Sequence, residues 1–173
     1  MRVYIPATHS MLADFARDSK LPIRSGIVFA LTPAVREFYS EGGDDEELAY
    51  TAFLDASRAS LRLLSIEDES GTDEAFPNRR VVISADIPDA NLTLDPTSGE
   101  SVVRVSPAVL ELAQLRAIHV DDEDAEETTK KAKECIDEAD LGEEAAELAL
   151  GDAEDNLMSW YDSKELGVLV DLM

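Results

Sequence analysis

Cysteine is almost absent from this 173-residue chain: Cys135 stands alone, so no intramolecular disulfide can form. Without a second cysteine there is no C-x-x-C pair, which excludes a structural zinc site of the usual ligand spacing. Histidine is as scarce. His9 and His119 are the only two, so a three-histidine catalytic metal centre is impossible and only a two-histidine, one-carboxylate site stays open. The eight glycines never fall at G-x-G-x-x-G or phosphate-loop spacing, and no G-x-S-x-G marks a nucleophile elbow. Apolar runs such as "IVFAL" and "VLV" are far shorter than a membrane-spanning helix requires. The opening "MRVYIPATHSML" has one arginine and no apolar stretch of signal-peptide length, so a cytoplasmic location is expected. No metal and no cofactor are expected.

Positive charge is also short. Fifteen basic residues face 38 acidic ones, a net charge of −23. The imbalance is concentrated: residues 121–173 hold 19 acidic and 4 basic side chains, a net of −15. Such a field repels nucleic-acid phosphates and anionic membrane surfaces, and it attracts cationic ligands or a basic protein partner. Apolar residues still make up 45%, and they are patterned, so the charge does not imply disorder. A chain of this length buries about 70% of its unfolded surface, enough for a core without staples.

Period and punctuation divide the chain as follows. "RVYI" (2–5) reads as a strand, and Thr8 caps a helix over "THSMLADFARDSK". "GIVFAL" (26–31) reads as a buried strand. "TPAVREFYSEGG" reads as a helix with Thr32 as cap and Pro33 in the first position. Residues 44–64 form a long helix with an acidic first turn, and 66–78 an acidic loop. Strands follow at 79–87, 101–106 and 115–120, the first two as an antiparallel pair. Helices follow at 121–139 and across "EEAAELALGDAEDNLMSWYD", the second broken at Gly151. Residues 163–173 end as a short helix or tail. The expected architecture is one α/β domain spanning 1–173, with a single mixed sheet of about five strands, packed helices and an acidic helical segment over 121–162.

"AIHVDDEDAEETTKK" (117–131) places a histidine before an acidic run. It has no glycine at the sixth position from Asp122, so it is not an EF-hand. Asp121 or Asp122 as helix cap, with further carboxylates at the positive end of the helix dipole, accounts for it.

Two classes of function remain open. The first is an acidic interaction or regulatory module, with Trp160 and Tyr161 as the candidate partner-binding residues. The second is a small-ligand-binding protein or enzyme. If the first, second and fifth strands run parallel, their carboxyl ends share one edge, and that edge gathers Thr8, His9, Thr32, Arg36, Tyr39, His119, Asp121 and Asp122. Arg36 is expected to find an acidic partner on the helix at 44–64 or at the start of the helix at 121–139. No catalytic residue is assigned, and the oligomeric state is left open.

The stretches "MRVYIPAT", "LTPAVREFY" (31–39), "EELAYTAFLDASRASLRLL" (46–64), "RRVVISADIP" (79–88), "AIHVDD", "DLGEEAAELALGDAED" (140–155) and "WYD" (160–162) resemble an actinobacterial family of uncharacterised proteins, a domain-of-unknown-function group. The resemblance covers nearly the whole chain apart from 66–78. It implies a bacterial cytoplasmic single-domain protein and carries no catalytic residue, cofactor or partner.

Overall fold

Alternation of buried and half-exposed residues along β1 (Arg2–Ala7) already implies a strand covered on both faces, and the computed structural model shows it in the middle of a sheet. The structure describes residues 1–40, 42–70 and 76–173. In chain order the elements are β1, α1 (His9–Asp18), β2 (Lys20–Pro22), β3 (Ile27–Phe29), α2 (Pro33–Phe38), α3 (Asp45–Glu69), β4 (Val81–Asp86), β5 (Leu92–Leu94), β6 (Val102–Val105), β7 (Val109–Glu111), β8 (Leu115–Val120), α4 (Glu126–Glu134), α5 (Ile136–Asp140), α6 (Glu144–Glu154), β9 (Ser159–Asp162) and α7 (Leu166–Leu172). The main sheet has seven strands in the order β5-β6-β3-β1-β4-β8-β9, and β2 pairs with β7 in a separate ribbon.

The α/β character holds, but two features of the expected sheet do not. It has seven strands where about five were expected, and every pairing is antiparallel where a mixed sheet was expected. The cause lies between α1 and β3. A plain strand-helix-strand crossover would return the chain parallel to β1. Here β2 intervenes, and then Ser25 (φ 58) and Gly26 (φ 65) both enter the left-handed region and turn the chain. A Cβ on Gly26 would sit 3.1 Å from the Val105 carbonyl oxygen, so the turn suits a residue with none. β3 therefore enters antiparallel to β1, with Phe29 opposite Tyr4. The strands at 79–87 and 101–106 are likewise not partners. β4 lies between β1 and β8, and β6 lies between β3 and the short β5, which the turn-rich 88–100 stretch conceals.

The two faces of the sheet carry different cores. One buries Val3, Ile5, Ile83, Val103, Ile118 and Val120 against Leu12 and Phe15 of α1 and Leu166 and Leu169 of α7. The other packs Phe29, Val82 and Val102 against Ala52 and Ala56 of α3, where small side chains let the helix lie close to the sheet. A third cluster joins Leu61 and Leu64 at the far end of α3 to Ala132, Ile136, Ala146 and Leu150 of the acidic helices, with Cys135 packed against it. Arg58 and Arg62 of α3 tie this helical group down by ion pairs to Asp140, and Arg58 also reaches Glu147.

Further differences are local. The helix expected over 121–139 is a short turn followed by α4 and α5, divided at Cys135. Gly151 does not break α6; the helix ends at Glu154, and "SWYD" forms the edge strand β9. Residues 66–69, expected in a loop, extend α3; the remainder of that loop at 71–75 lies outside the described residues. The chain's end resolves as α7.

Candidate functional site

Because β3 opposes β1 and β8, the three carboxyl ends do not share an edge; those of β1 and β8 do, on either side of the start of β4, with Thr8, His9, Asp121 and Asp122 following them, while Thr32, Arg36 and Tyr39 lie elsewhere. At the end of β1, Thr8 caps α1 by accepting from the Met11 amide, and it donates to Glu67 at 2.6 Å, as Ser10 does. His9 is buried with its ring against Phe76, 4.5 Å between centroids. Its ring nitrogens make no well-formed hydrogen bond among the described residues, and burial lowers its pKa, partly opposed by the nearby Val170 backbone. At the opposite edge Thr32 caps α2 and donates to the Glu100 carbonyl, and Tyr39 is a half-exposed residue at the helix end beside Phe38.

Arg36 finds its acidic partner at the start of α3, 2.5 Å from Asp45. With α2 only six residues long, Arg36 stands in its last turn, so the unfavourable dipole position expected for it does not arise. The pair is solvated on both sides. Arg36→Ala is therefore expected to leave the melting temperature essentially unchanged, as a thermal melt of the two proteins would show. A drop of several degrees would mean that the pair holds α2 against α3.

The acidic run after Val120 places Glu126 and Glu127 in the first turn of α4, at the positive end of its dipole as expected, but Asp121 acts otherwise than as a cap. Asp121 is 1% exposed and accepts four hydrogen bonds: from the Arg80 amide (2.7 Å), from Arg80 Nε (2.9 Å), from the Arg80 guanidinium terminus (2.7 Å) and from Thr129 Oγ1 (2.9 Å). Arg80, also buried, donates in addition to the Asn156 carbonyl. This bidentate pair fastens the start of β4 and the end of β8 to α4 and to the segment before β9. Asp122, which precedes the short helical turn, accepts from Ser159. Neither aspartate's side chain caps a helix. Among the described residues no group of three or more histidine, cysteine or acidic side chains is arranged to hold a metal ion.

His119 lines a cavity. It lies beside the amino-terminal half of α3 and has a volume of about 470 Å³. The floor comes from one face of four adjacent strands: Tyr4 of β1, Ser84 of β4, Ala117 and His119 of β8, and Trp160 of β9. Glu46, Ala49, Tyr50 and Phe53 of α3 form the opposite wall. Leu157 and Met158 close one side, and Arg2 stands at the end of the floor. The placement follows from strand period: Arg2 and Tyr4 share a face, as do Ala117 and His119, and the registers set Tyr4 opposite Ser84, Ser84 opposite Ala117 and His119 opposite Trp160. A register shift at Ser84/Ala85 inserts an extra residue in β8 beside this floor, a local distortion of the sort that re-aims side chains near binding sites.

The walls are aromatic. Phe53 meets Tyr4 edge-on at 5.9 Å, meets His119 edge-on at 4.9 Å and stacks with Tyr50 at 5.7 Å. Trp160, the sole tryptophan, is 61% exposed at the mouth. Its neighbour Tyr161 points to the other face and packs against the main core, so the two residues grouped as one candidate surface are separated by the sheet.

His119 Nε2 and Ser84 Oγ lie 2.9 Å apart, one donating to the other according to the histidine tautomer. Burial, reinforced by the Arg2 charge, pushes the His119 pKa down to about 4. The ring is therefore neutral at pH 7 and is a weak proton acceptor. No carboxylate among the described residues hydrogen-bonds it, and the Ser84 backbone is engaged in the middle of the sheet, away from any oxyanion-binding loop. A serine-histidine pair so placed can orient a ligand, but it lacks the orienting acid and the oxyanion donors of acyl-transfer chemistry.

A depressed histidine pKa has a definite effect on stability. Between pH 6.5 and about 4 the unfolded chain takes up a proton that the folded His119 refuses, so stability falls as pH drops through that window. Replacement of His119 by glutamine is expected to flatten the acid limb of the stability-pH curve in that window, as denaturant titrations across pH would show. A limb of unchanged slope would mean that His119 titrates near its ordinary value.

Fold and site together define an antiparallel α+β protein with an aromatic-walled cavity between its longest helix and the sheet. The chain belongs to the family of unknown function DUF6912, which matches residues 1–170. Comparison with curated proteins and with solved structures finds no match.

Tyr4, Tyr50, Phe53 and Ser84 were not singled out from the sequence. A signal did exist: Ser84 in "VVISA" and His119 in "AIHV" are polar residues inside otherwise apolar stretches. Such residues need either a partner or a cavity.

Proposed function

We propose that this protein binds a small molecule in the cavity between α3 and the β1-β4-β8-β9 floor. The observation that carries the reading is the convergence of Tyr4, Phe53, Ser84, His119 and Trp160, from five separate elements, on one space of about 470 Å³. A predominantly apolar, aromatic concavity with a few placed polar groups is the general form of a ligand site. The acidic field inferred from the sequence belongs to this reading as an attractor of cationic ligands, and a basic partner protein is not required by it. Binding without catalysis fits the weakly basic, unsupported His119. Among the described residues no helix is long and apolar enough to cross a membrane. The cytoplasm of a bacterium is the proposed setting, in keeping with the unpaired Cys135.

The sole tryptophan supplies the test. Trp160 emission is expected to shift in a saturable way with at least one class in a panel of small amines, acids and neutral aromatics, and the shift is expected to vanish in Trp160→Phe, which removes the fluorophore, and to weaken in Phe53→Ala. A panel without a saturable response, or a response unaffected by Phe53→Ala, would sink the proposal.

A further inference from the structure

Resting on that reading of the cavity, we infer that its ligand is a small organic cation, a quaternary or protonated ammonium group carried on a compact apolar body. The inference comes from an inventory of charge around the cavity. Arg2 donates to both oxygens of Asp86, at 2.7 and 3.3 Å, and Arg116 donates to the same carboxylate at 2.9 Å. A ligand anion would have to compete with that carboxylate for Arg2. Glu46, at the helix wall, makes no ion pair or side-chain hydrogen bond among the described residues and faces solvent. It is the free charge of the lining.

One polar pair of the floor is engaged in the same way. Ser84 and His119 hydrogen-bond each other, which leaves the pair one further donor, and that donor, the Tyr4 and Tyr50 hydroxyls and the Trp160 indole N–H are all neutral, so none supplies the charge an anion would pair with. The rings of Tyr4, Tyr50, Phe53 and Trp160 line the cavity, and the electron-rich face of an aromatic ring attracts cations, best when the cation is weakly hydrated as a methylated ammonium is. His119 adds no repulsion, because its ring is neutral at pH 7, and the Arg2 charge that helps keep it neutral is the one cation a ligand ammonium would meet among the described residues of the lining. The chain's net charge of −23 raises the local concentration of any small cation at low ionic strength. Aromatic walls, a free carboxylate at the helix side and an arginine already held by Asp86 favour the same ligand charge.

The experiment compares three probes of one shape: choline, its neutral isostere 3,3-dimethyl-1-butanol, and the anion 3,3-dimethylbutanoate. Each is titrated into ¹⁵N-labelled full-length protein at fixed ionic strength. The Trp160 indole N–H, unique in the spectrum, and the Ser84 and His119 amides report on the cavity. Choline is expected to shift these resonances saturably, with an affinity about tenfold or more above that of the neutral isostere, and the anion is expected to bind most weakly. Glu46→Gln is expected to lower choline affinity while leaving the neutral isostere unchanged. Equal affinity for the neutral isostere, or tighter binding of the anion, overturns the cation inference while leaving the cavity as a binding site. If none of the three probes binds although other compounds move Trp160 emission, the cation inference also falls. If no compound of any class perturbs the cavity resonances, the binding reading falls with it.

Discussion

Replacing Asp121 with alanine is expected to lower the unfolding free energy by about 3–5 kcal/mol, the largest loss foreseen for any single polar residue in this chain. The magnitude follows from what would be left behind. Arg80 is 2% exposed and would retain its charge with one carbonyl, that of Asn156, as its remaining partner. Thr129 Oγ1 and the Arg80 amide would each lose an acceptor in the same buried space. The pair itself need not be a large net source of stability, because ion desolvation offsets much of the attraction. This makes a second result informative: Arg80→Met combined with Asp121→Leu is expected to be less destabilised than Asp121→Ala alone. Urea denaturation of the three variants tests both statements. A loss below about 1 kcal/mol for Asp121→Ala would show that water or a rearranged side chain satisfies Arg80.

Ser60→Ala is expected to have the next largest effect. Ser60 lies on the buried side of α3, donates to the Ala7 carbonyl at 2.7 Å and accepts from the Val81 amide at 3.0 Å. One hydroxyl thus satisfies two main-chain groups, at the end of β1 and the start of β4, where the paired strands part. An orphaned buried donor or acceptor costs about 1–3 kcal/mol, so the loss should be about 2–4 kcal/mol even though only one oxygen is removed. Hydrogen exchange offers an independent reading: the Val81 amide should lose protection by more than its strand neighbours. Unchanged protection at Val81 would contradict the bridging role.

What could be read from the sequence was local. Thr8 and Thr32 act as caps, and Pro33 opens α2, because capping depends on residues three or four positions apart. Strands read at 2–5 and 115–120 and a long helix read at 44–64 match β1, β8 and most of α3, because apolar runs and helical period are local signals. Strand direction did not, since it was decided by the left-handed turn at Ser25 and Gly26 and by pairings between residues distant along the chain. β9 was hidden because "SWYD" follows a helix without a strong breaker, and no residue in it is fully buried. The site escaped for the same reason as the topology. Tyr4, Ser84, His119 and Trp160 are brought together only by the strand order β1-β4-β8-β9, which no short motif encodes. Gathering candidates at strand ends was sound for a parallel sheet, whereas in this antiparallel sheet the site lies on a face, under a helix.

The central claim is that the space beneath the first half of α3 is a binding site, and blocking it from the floor tests that most directly. Ala117 is buried at the cavity base, between the Ser84 strand and β9, and phenylalanine there would occupy much of the volume; Ala49→Phe blocks the same space from the helix side if the first variant fails to fold. The measurement is the dissociation constant of the tightest ligand found by Trp160 emission, taken on the parent and on the blocked protein by a method independent of that tryptophan, such as isothermal calorimetry. The account predicts affinity reduced by at least about tenfold in a protein whose far-ultraviolet circular dichroism is unchanged. An equal dissociation constant in the blocked, folded protein would contradict it.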